Sequence, residues 1–296
     1  MRSLLIVPAS EPARIEKALT SGADAVVLDL EDSVSTENKA RARKNVRALL
    51  RELKPLAAGE VRQPEIIVRI NALEEAEFNA DMVALLDEPP EAFMLPKVKS
   101  IDCINRLARH AGPIPVIAIM AETPESVLRL PAFAGPMPEN LFAMTWGSSD
   151  LAATIGATSN RDENGLLTDP FRLARVLTLF AARAANVEPI DSVFVRYNDP
   201  DGLRAECEAA FRDGFTGKLA IHPDQVAIIN EAFTPTDEQI SKAQQIIAAF
   251  EQNPRKGLVS VNGRLYDRPH LARARRLLKK AARYGVLPAQ EKRRAS

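Results

Sequence analysis

Cysteine is scarce in this sequence, and the two cysteines present, Cys103 and Cys207, are too far apart to form a metal-binding motif. The formal net charge is zero, so overall charge favours no polyanionic partner. No apolar run approaches the roughly 20 residues of a membrane helix. The first apolar run ends at Pro8 and is too short for a signal peptide. We therefore expect a cytoplasmic protein without a membrane partner.

Three catalytic motifs are also absent. No glycine-rich phosphate loop follows the first apolar run, which counts against a dinucleotide-binding fold. No serine lies in a Gly-x-Ser-x-Gly elbow, and neither cysteine follows a predicted strand, so nucleophilic catalysis is poorly supported. A Schiff-base mechanism needs a lysine within a strand, whereas Lys97 follows Pro96 at a strand end.

What the chain does contain is a regular alternation of short apolar runs and helical patterns. The runs are continuously apolar, which predicts parallel strands covered by helices on both faces. Eight strand–helix units within 235 residues favour a (β/α)8 TIM barrel over an open sheet. The predicted strands cover residues 3–8, 25–29, 65–71, 92–95, 115–121, 141–146, 192–196 and 219–221.

We expect residues 1–235 to form the barrel and residues 236–296 to form a C-terminal helix–hairpin–helix appendage. Asn262-Gly263 predicts a two-residue hairpin turn, and a basic helix is predicted over 271–284. From Arg264 onward the chain has eleven Lys and Arg against two acids. Because this stretch lacks interleaved aromatics, a solvated helix face or an anionic small-molecule contact is favoured over nucleic acid.

Two acids end consecutive predicted strands. Glu122 follows the fifth strand and Asp150 follows the sixth, so in a barrel both emerge at the same end. Hard oxygen ligands without Cys or His are typical of a Mg²⁺ site. The alternative is that each acid simply caps the following helix.

Other strand ends carry further charged residues. Glu31 and Asp32 follow the second strand, Arg69 the third and Lys97 the fourth. Arg69 and Lys97 could hold a substrate carboxylate or phosphate. An ion pair of Arg69 with Glu31 or Asp32 is the alternative explanation.

At these residues the chain resembles the citrate lyase β-subunit-like family of the HpcH/HpaI aldolase/citrate lyase superfamily. The resemblance runs from residue 2 to about 280 and includes Trp146-Gly-Ser-Ser-Asp150. Ala9, Pro124 and Ser149 depart from the family pattern, which leaves the substrate open. The matching segments are 2–8, 21–32, 68–71, 95–97, 122–123, 146–151, 214–223 and 262–270.

The resemblance implies a (β/α)8 barrel that binds Mg²⁺, or Mn²⁺, and assembles as a homotrimer or hexamer. It implies a carbon–carbon lyase that cleaves or forms a malyl-, citramalyl- or citryl-CoA type thioester. Its partners would be an acyl-CoA and a small oxo-acid such as glyoxylate, pyruvate or oxaloacetate. A thioester hydrolase with the same metal site, or a non-catalytic lyase-like subunit or metabolite-binding protein, are the alternatives.

The resemblance also implies roles for individual residues. Glu122 and Asp150 match the metal ligands, and Arg69 matches the arginine that holds the oxo-acid. Asp267 matches an acid that closes a neighbouring subunit's site and serves as acid/base; helix capping is its alternative role. Glu122 and Lys97 are expected to contact substrate, while Glu31 and Asp32 match acids that orient the metal's waters.

Overall fold

The computed structural model describes residues 1–53, 64–135 and 137–287 of the 296-residue chain. These residues form two compact units, and the first extends from Met1 to Asn230. The predicted division into a barrel over 1–235 and an appendage over 236–296 stays a prediction, and 288–296 lie outside the described residues. In the described part of the chain, no helix combines the length and apolar character needed to cross a membrane.

The first unit is a closed barrel of eight parallel strands, which confirms the predicted (β/α)8 fold. Each strand pairs with its sequence neighbour, and β1 pairs with β8 to close the barrel. Alternate side chains such as Leu4, Ile67 and Leu219 fill the interior. The strands are β1 Ser3–Pro8, β2 Ala25–Asp29, β3 Glu65–Arg69, β4 Ala92–Leu95, β5 Val116–Met120, β6 Leu141–Trp146, β7 Glu188–Asp191 and β8 Gly217–Ala220.

Helices follow the strands of the barrel. In the described residues β6 is followed by two helices, one of which starts directly beyond the strand and carries Asp150. The barrel helices are α1 Pro12–Leu19, α2 Lys39–Glu52, α3 Glu77–Leu85, α4 Ile101–Ala111, α5 Pro124–Arg129, α6 Ser148–Ile155, α7 Asp169–Ala184, α8 Pro200–Asp213 and α9 Asp224–Ala232, with 3₁₀ turns at Thr36–Asn38 and Leu130–Ala134.

The predicted seventh strand over 192–196 is wrong. The observed strand β7 ends at Asp191, so Arg196 lies well past the strand end. Asp191, opposite Lys218, is the last residue of β7 that pairs with β8. The apolar Phe194 that suggested a strand is buried without strand pairing, and the guanidinium of Arg196 lies 5.2 Å from its ring centre.

The second unit contains a helix, a hairpin and a final helix. These are α10 Asp237–Gln252, β9 Leu258–Val261, β10 Arg264–Asp267 and α11 Arg268–Arg283. The predicted hairpin is confirmed, and Asn262 and Gly263 both have positive φ, as a type I′ turn requires. Phe250, Tyr266 and Leu271 belong to the apolar core of this unit.

A buried ionic cluster joins β7 and β8 to the helices outside them. Lys218 is fully buried, and because Leu219 faces the barrel interior, Lys218 points outward. Its Nζ lies 2.8 Å from Glu206 Oε1 and 3.4 Å from Asp191 Oδ2. Asp191 also accepts a hydrogen bond of 2.9 Å from Trp146 Nε1 and lies 3.2 Å from Arg175 Nε. The cluster thereby fixes the indole at the end of β6.

We predict that Lys218→Met lowers the free energy of unfolding by about 3 kcal/mol, because removing one partner leaves buried carboxylates undercompensated. Lys44→Met on the exposed face of α2 is the matched control, with an expected change within about 0.5 kcal/mol. Urea denaturation of both variants measures the difference. A loss below about 1 kcal/mol for Lys218→Met would contradict this role of the cluster.

Candidate active site

A cleft of about 360 Å³ opens at the ends of the barrel strands. Its lining comes from the last residues of β1, β3, β5, β6 and β8 and from residues that follow β1, β2, β5, β6, β7 and β8, which is the end where barrel enzymes carry their chemistry. The apolar wall includes Ile119 and Trp146. Four predicted site residues line the cleft, namely Asp32, Arg69, Glu122 and Asp150.

Glu122 is held at the end of β5 by unusual backbone geometry. The preceding residue, Ala121, has φ of 56°, and Lys97 beyond β4 has φ of 55°. In this conformation the backbone N–H of Lys97 donates a short hydrogen bond to Glu122 Oε2. Non-glycine residues at positive φ carry a conformational cost and are concentrated at functional sites. The strained backbone therefore fixes one oxygen of the Glu122 carboxylate.

Gly147 is a second requirement for the position of Glu122, and it was missed from the sequence. A Cβ atom at this position would lie 2.5 Å from Cγ and 2.7 Å from Oε1 of Glu122. Gly147 has φ of −113°, so space rather than backbone conformation demands glycine. Its place in the Trp146-Gly-Ser-Ser-Asp150 motif was the available signal.

Three carboxyl groups in and beside the cleft have pKa values above their ordinary range. Glu122 is only 3% exposed, and burial together with the charge of Asp150 raises its pKa well above the ordinary value. Burial and the charge of Asp32 also raise the pKa of Asp150, in the first turn of α6. Burial raises the pKa of Glu31 to about 7 against the opposing charges of Arg69 and Lys97. Burial and neighbouring acids thus disfavour the ionised form of these carboxyl groups.

The Arg69 guanidinium contacts two acidic side chains, Asp29 and Glu31. Its Nε and Nη2 donate to the two oxygens of Asp29 at 2.6 and 2.7 Å, and its Nη1 lies 3.1 Å from Glu31 Oε2. Although burial alone would raise it, the Arg69 guanidinium holds the pKa of Asp29 below its ordinary value. The ion pair with Glu31, which the sequence left open as the alternative explanation for Arg69, is present. A guanidinium has five N–H donors, and Asp29 accepts from two of them, so Arg69 keeps donors that a ligand could meet.

Asp29 is the partner that sequence reasoning did not assign to Arg69. The two residues are direct neighbours in the β2–β3 ladder, so strand register was the missing signal. Asp29 is fully buried and accepts hydrogen bonds from the backbone N–H groups of Glu31 and Ser33 at 2.9 and 3.0 Å. The Ser33 hydroxyl makes a further short hydrogen bond. Asp29 therefore fixes the plane of the guanidinium.

Lys97 is joined to this group through its side chain. Its Nζ lies 2.8 Å from Glu31 Oε1, 3.0 Å from Glu75 Oε1 and 3.8 Å from Asp32 Oδ1. The amine is shared among three acids, so its contact with substrate remains a prediction. Lys97 and Arg69 nevertheless share Glu31 as a partner, with Lys97 at Oε1 and Arg69 at Oε2.

A buried lysine holds the loop that carries Glu31. Lys39 Nζ donates to the carbonyl oxygens of Leu30 and Glu31 at 2.9 and 3.1 Å, and to Asn71 Oδ1 at 2.6 Å. Asn71 in turn donates to Asp81 Oδ2 from its backbone and side-chain nitrogens. This support was not predicted, because it depends on α2 and α3 packing against the loop.

A divalent cation fits the donors in the cleft. Glu122 and Asp150 both line the cleft, and a cation there would offset the negative charge that raises their pKa values. Within the described residues, no group of three or more His, Cys, Asp or Glu side chains is arranged to hold a metal. A pair of carboxylates suits Mg²⁺, which keeps several waters and binds few protein ligands.

Asp267, the remaining predicted site residue, belongs to the second unit. It is the last residue of β10 and the N-cap of α11, so the capping role that the sequence left open is present. Its part in proton transfer stays a prediction.

Comparison with known proteins places the chain among enzymes of acyl-CoA metabolism. The (3S)-malyl-CoA thioesterase of Cereibacter sphaeroides is 34% identical over 282 residues, covering 95% of this chain and 94% of the relative. The mitochondrial citramalyl-CoA lyase of Rattus norvegicus is 33% identical over 299 residues, covering 94% of this chain and 85% of the relative.

A solved structure is also similar over nearly the whole chain. It is the CitE protein of Mycobacterium tuberculosis in complex with magnesium, acetoacetate and coenzyme A. Its TM-score is 0.79 at 32% identity, and the alignment covers 95% of this chain and 97% of that chain. The family model for HpcH/HpaI aldolase/citrate lyase matches residues 2–223. This chain therefore belongs to the HpcH/HpaI aldolase/citrate lyase family.

Proposed function

We propose that this protein is a Mg²⁺-dependent carbon–carbon lyase that cleaves or forms a malyl-, citramalyl- or citryl-CoA type thioester. The observation that carries the proposal is the buried Glu122, whose pKa the charge of Asp150 raises, in a cleft that Asp150 and Arg69 also line. Relatives named as citramalyl-CoA lyase and as L-malyl-CoA/beta-methylmalyl-CoA lyase support this reaction class. The proposal includes a cytoplasmic location and a homotrimeric or hexameric assembly.

Glu122 and Asp150 would hold the Mg²⁺ ion, or Mn²⁺ in its place. When bound there, the metal supplies Lewis-acid stabilisation of the oxygen charge that develops as the C–C bond breaks or forms. The short hydrogen bond from the Lys97 backbone occupies Glu122 Oε2, which leaves Oε1 as the less constrained oxygen. Glu31 and Asp32 would orient water near the ion.

Arg69 would bind the carboxylate of the oxo-acid through N–H donors that its two hydrogen bonds to Asp29 leave available. Because Asp29 fixes the guanidinium plane, the bound acid would present its carbonyl in one orientation. The apolar wall around Ile119 and Trp146 would exclude water from the reacting carbon. The acyl-CoA would approach from the open side of the cleft.

Asp267 would exchange the proton at the acyl carbon, acting in the site of a neighbouring subunit. In the forming direction its carboxylate takes a proton from the α-carbon of the acyl-CoA. The electron pair of the C–H bond passes to the thioester enolate, which then attacks the carbonyl carbon of the oxo-acid. Cleavage runs through the reverse steps.

A thioester hydrolase is the second candidate, because the Cereibacter sphaeroides relative is named (3S)-malyl-CoA thioesterase. We expect acetyl- or propionyl-CoA to condense with glyoxylate, pyruvate or oxaloacetate in a panel assay with Mg²⁺. Mass spectrometry of the products formed from the hydroxyacyl-CoA thioester separates the two candidates. Acyl-CoA plus an oxo-acid identifies a lyase, whereas free CoA plus an intact hydroxy acid identifies a hydrolase. No turnover with any pair would favour a non-catalytic subunit.

The metal assignment predicts the effect of Glu122→Gln. The amide is a poorer ligand, so Mg²⁺-dependent activity should fall at least 100-fold and Mg²⁺ affinity by tenfold or more. The metal-free melting temperature should not fall, because the substitution removes a charge that is unfavourable when buried. Calorimetric Mg²⁺ titration and activity assays measure both effects. Glu125→Gln on the exposed side of α5 is the control, and equal behaviour of the two variants would rule out Glu122 as a ligand.

Gly147→Ala should displace the Glu122 carboxylate although no proposed ligand is itself substituted. The added methyl group would lie 2.5 Å from Glu122 Cγ, so the carboxylate must shift, and we expect Mg²⁺ affinity to fall about tenfold or more. Gly257→Ala, where a methyl group meets nothing within 4 Å, is the control. Unchanged Mg²⁺ affinity in folded Gly147→Ala protein would show that the shifted carboxylate is not a metal ligand.

Arg69→Lys should raise the KM for the oxo-acid by about tenfold or more, because lysine cannot form a two-pronged pair with a carboxylate. It should leave the KM for the acyl-CoA nearly unchanged. Steady-state kinetics with each substrate varied in turn measure the two constants. If neither the oxo-acid KM nor kcat changes, Arg69 does not bind the oxo-acid.

A further inference from the structure

Asp267 is anchored at the start of α11 by a reciprocal cap. Its Oδ1 accepts a hydrogen bond of 3.3 Å from the backbone N–H of His270, while the backbone nitrogen of Asp267 lies 3.4 Å from His270 Nδ1. Pro269 lies in the first turn and has no N–H to satisfy. The cap therefore fixes the backbone at Asp267 relative to the helix.

The same histidine makes a second contact with the Asp267 side chain. His270 Nδ1 forms a short hydrogen bond with Asp267 Oδ1, the oxygen that already accepts from the backbone. Oδ2 makes no hydrogen bond within residues 1–53, 64–135 and 137–287. One carboxylate oxygen is thus held, and the other is left to meet a ligand.

His270 is itself fixed from the other side. Its ring meets the Tyr266 ring edge-on, with ring centres 5.4 Å apart and planes at 88°. Tyr266 is buried in the apolar core of the second unit. The neighbouring cation, Arg268, points elsewhere, because it donates to the carbonyl oxygens of Pro254 and Lys256 at 2.8 and 3.1 Å. The hydrogen bond from His270 is accordingly the main influence on the Asp267 carboxylate, and it lowers the pKa of Asp267.

The two contacts of Nδ1 require different protonation states. With a proton, Nδ1 donates to Oδ1; without one, it can accept only from the backbone N–H of Asp267. An ionised carboxylate favours the Nδ1–H form, since it provides a charged acceptor. The charge of Asp267 and the tautomer of His270 are therefore linked.

We propose that His270 is a positioning residue for proton transfer by Asp267, holding Oδ1 from Nδ1 and keeping Oδ2 directed outward as the reacting oxygen. The inference rests on the proposed function, in which Asp267 exchanges the proton of the acyl carbon. In the forming direction the α-C–H bond breaks and an Oδ2–H bond forms, and the electron pair goes to the thioester enolate. The Nδ1–H to Oδ1 bond is kept, so His270 neither gains nor loses a proton.

The full-length enzyme with Mg²⁺ provides the test, using His270→Leu and His270→Gln. Leucine removes the side-chain hydrogen bond, so kcat should fall about 10–100-fold with little change in the oxo-acid KM. Glutamine at this helix position completes a capping box and can donate to Oδ1, so it should restore most of kcat. His110→Leu and His110→Gln, on the exposed end of α4, are the controls and should behave like the parent enzyme.

The decisive readout is the primary isotope effect on condensation with acetyl-CoA deuterated at its methyl group, or with deuterated propionyl-CoA. A mispositioned Oδ2 slows proton transfer, so the isotope effect should increase in His270→Leu and return towards the parent value in His270→Gln. A purely structural role would lower the amount of folded enzyme and leave the isotope effect unchanged. If His270→Leu does not fold, His270→Ala takes its place: an increased isotope effect supports positioning, and the parent value overturns the inference.

Asp267→Asn separates failure of this inference from failure of the proposed function. If Asp267→Asn is inactive but folded His270→Leu has the parent kcat and isotope effect, His270 does not position the acid and the inference is wrong. If Asp267→Asn keeps full lyase activity, the proposed role of Asp267 fails, and the inference fails with it. Loss of kcat in His270→Leu without a change in isotope effect would also overturn it.

Discussion

The burial of like charges at one end of the barrel is the constraint on which the candidate site depends. Glu122 is almost fully buried, and burial and the charge of Asp150 raise its pKa, while burial and the charge of Asp32 raise the pKa of Asp150. Such an arrangement lowers stability unless something offsets the charge. A cation bound between the carboxylates would offset this charge. Two neighbouring groups keep Glu122 in place: the backbone N–H of Lys97 donates to its carboxylate, and the missing side chain at Gly147 leaves room for it.

The basic side chains of the first unit are also held in place by hydrogen bonds and ion pairs. Arg69 donates two hydrogen bonds to Asp29 and forms an ion pair with Glu31, and these contacts restrict rotation of the guanidinium. Lys39 holds the carbonyl groups at the base of the Glu31 loop. Catalysis of C–C bond formation depends on the alignment of two substrates, and rigid partners supply that alignment.

Strand ends were the most informative positions in the sequence. They predicted which charged residues share one end of the barrel, but not which of them pair across neighbouring strands. The short, continuously apolar runs predicted the barrel, and the charged residues after them predicted which side chains share one end. Asp29 was overlooked as the partner of Arg69 because its role depends on lateral pairing of β2 and β3. The seventh strand was misplaced because Phe194 is apolar and buried, as a strand residue would be, although it lies beyond the end of β7 and pairs with no strand.

By itself the sequence determined the parallel barrel, the hairpin turn at Asn262-Gly263 and the set of charged residues at the strand ends, since all three follow from local patterns of apolar, turn and charged residues. The tertiary structure alone decided which oxygen of each carboxylate is occupied. Glu122 Oε2 and Asp267 Oδ1 are held by groups whose positions depend on backbone conformation and packing. Hydrogen-bond geometry is a property of three-dimensional contact, and residue type and spacing carry little information about it.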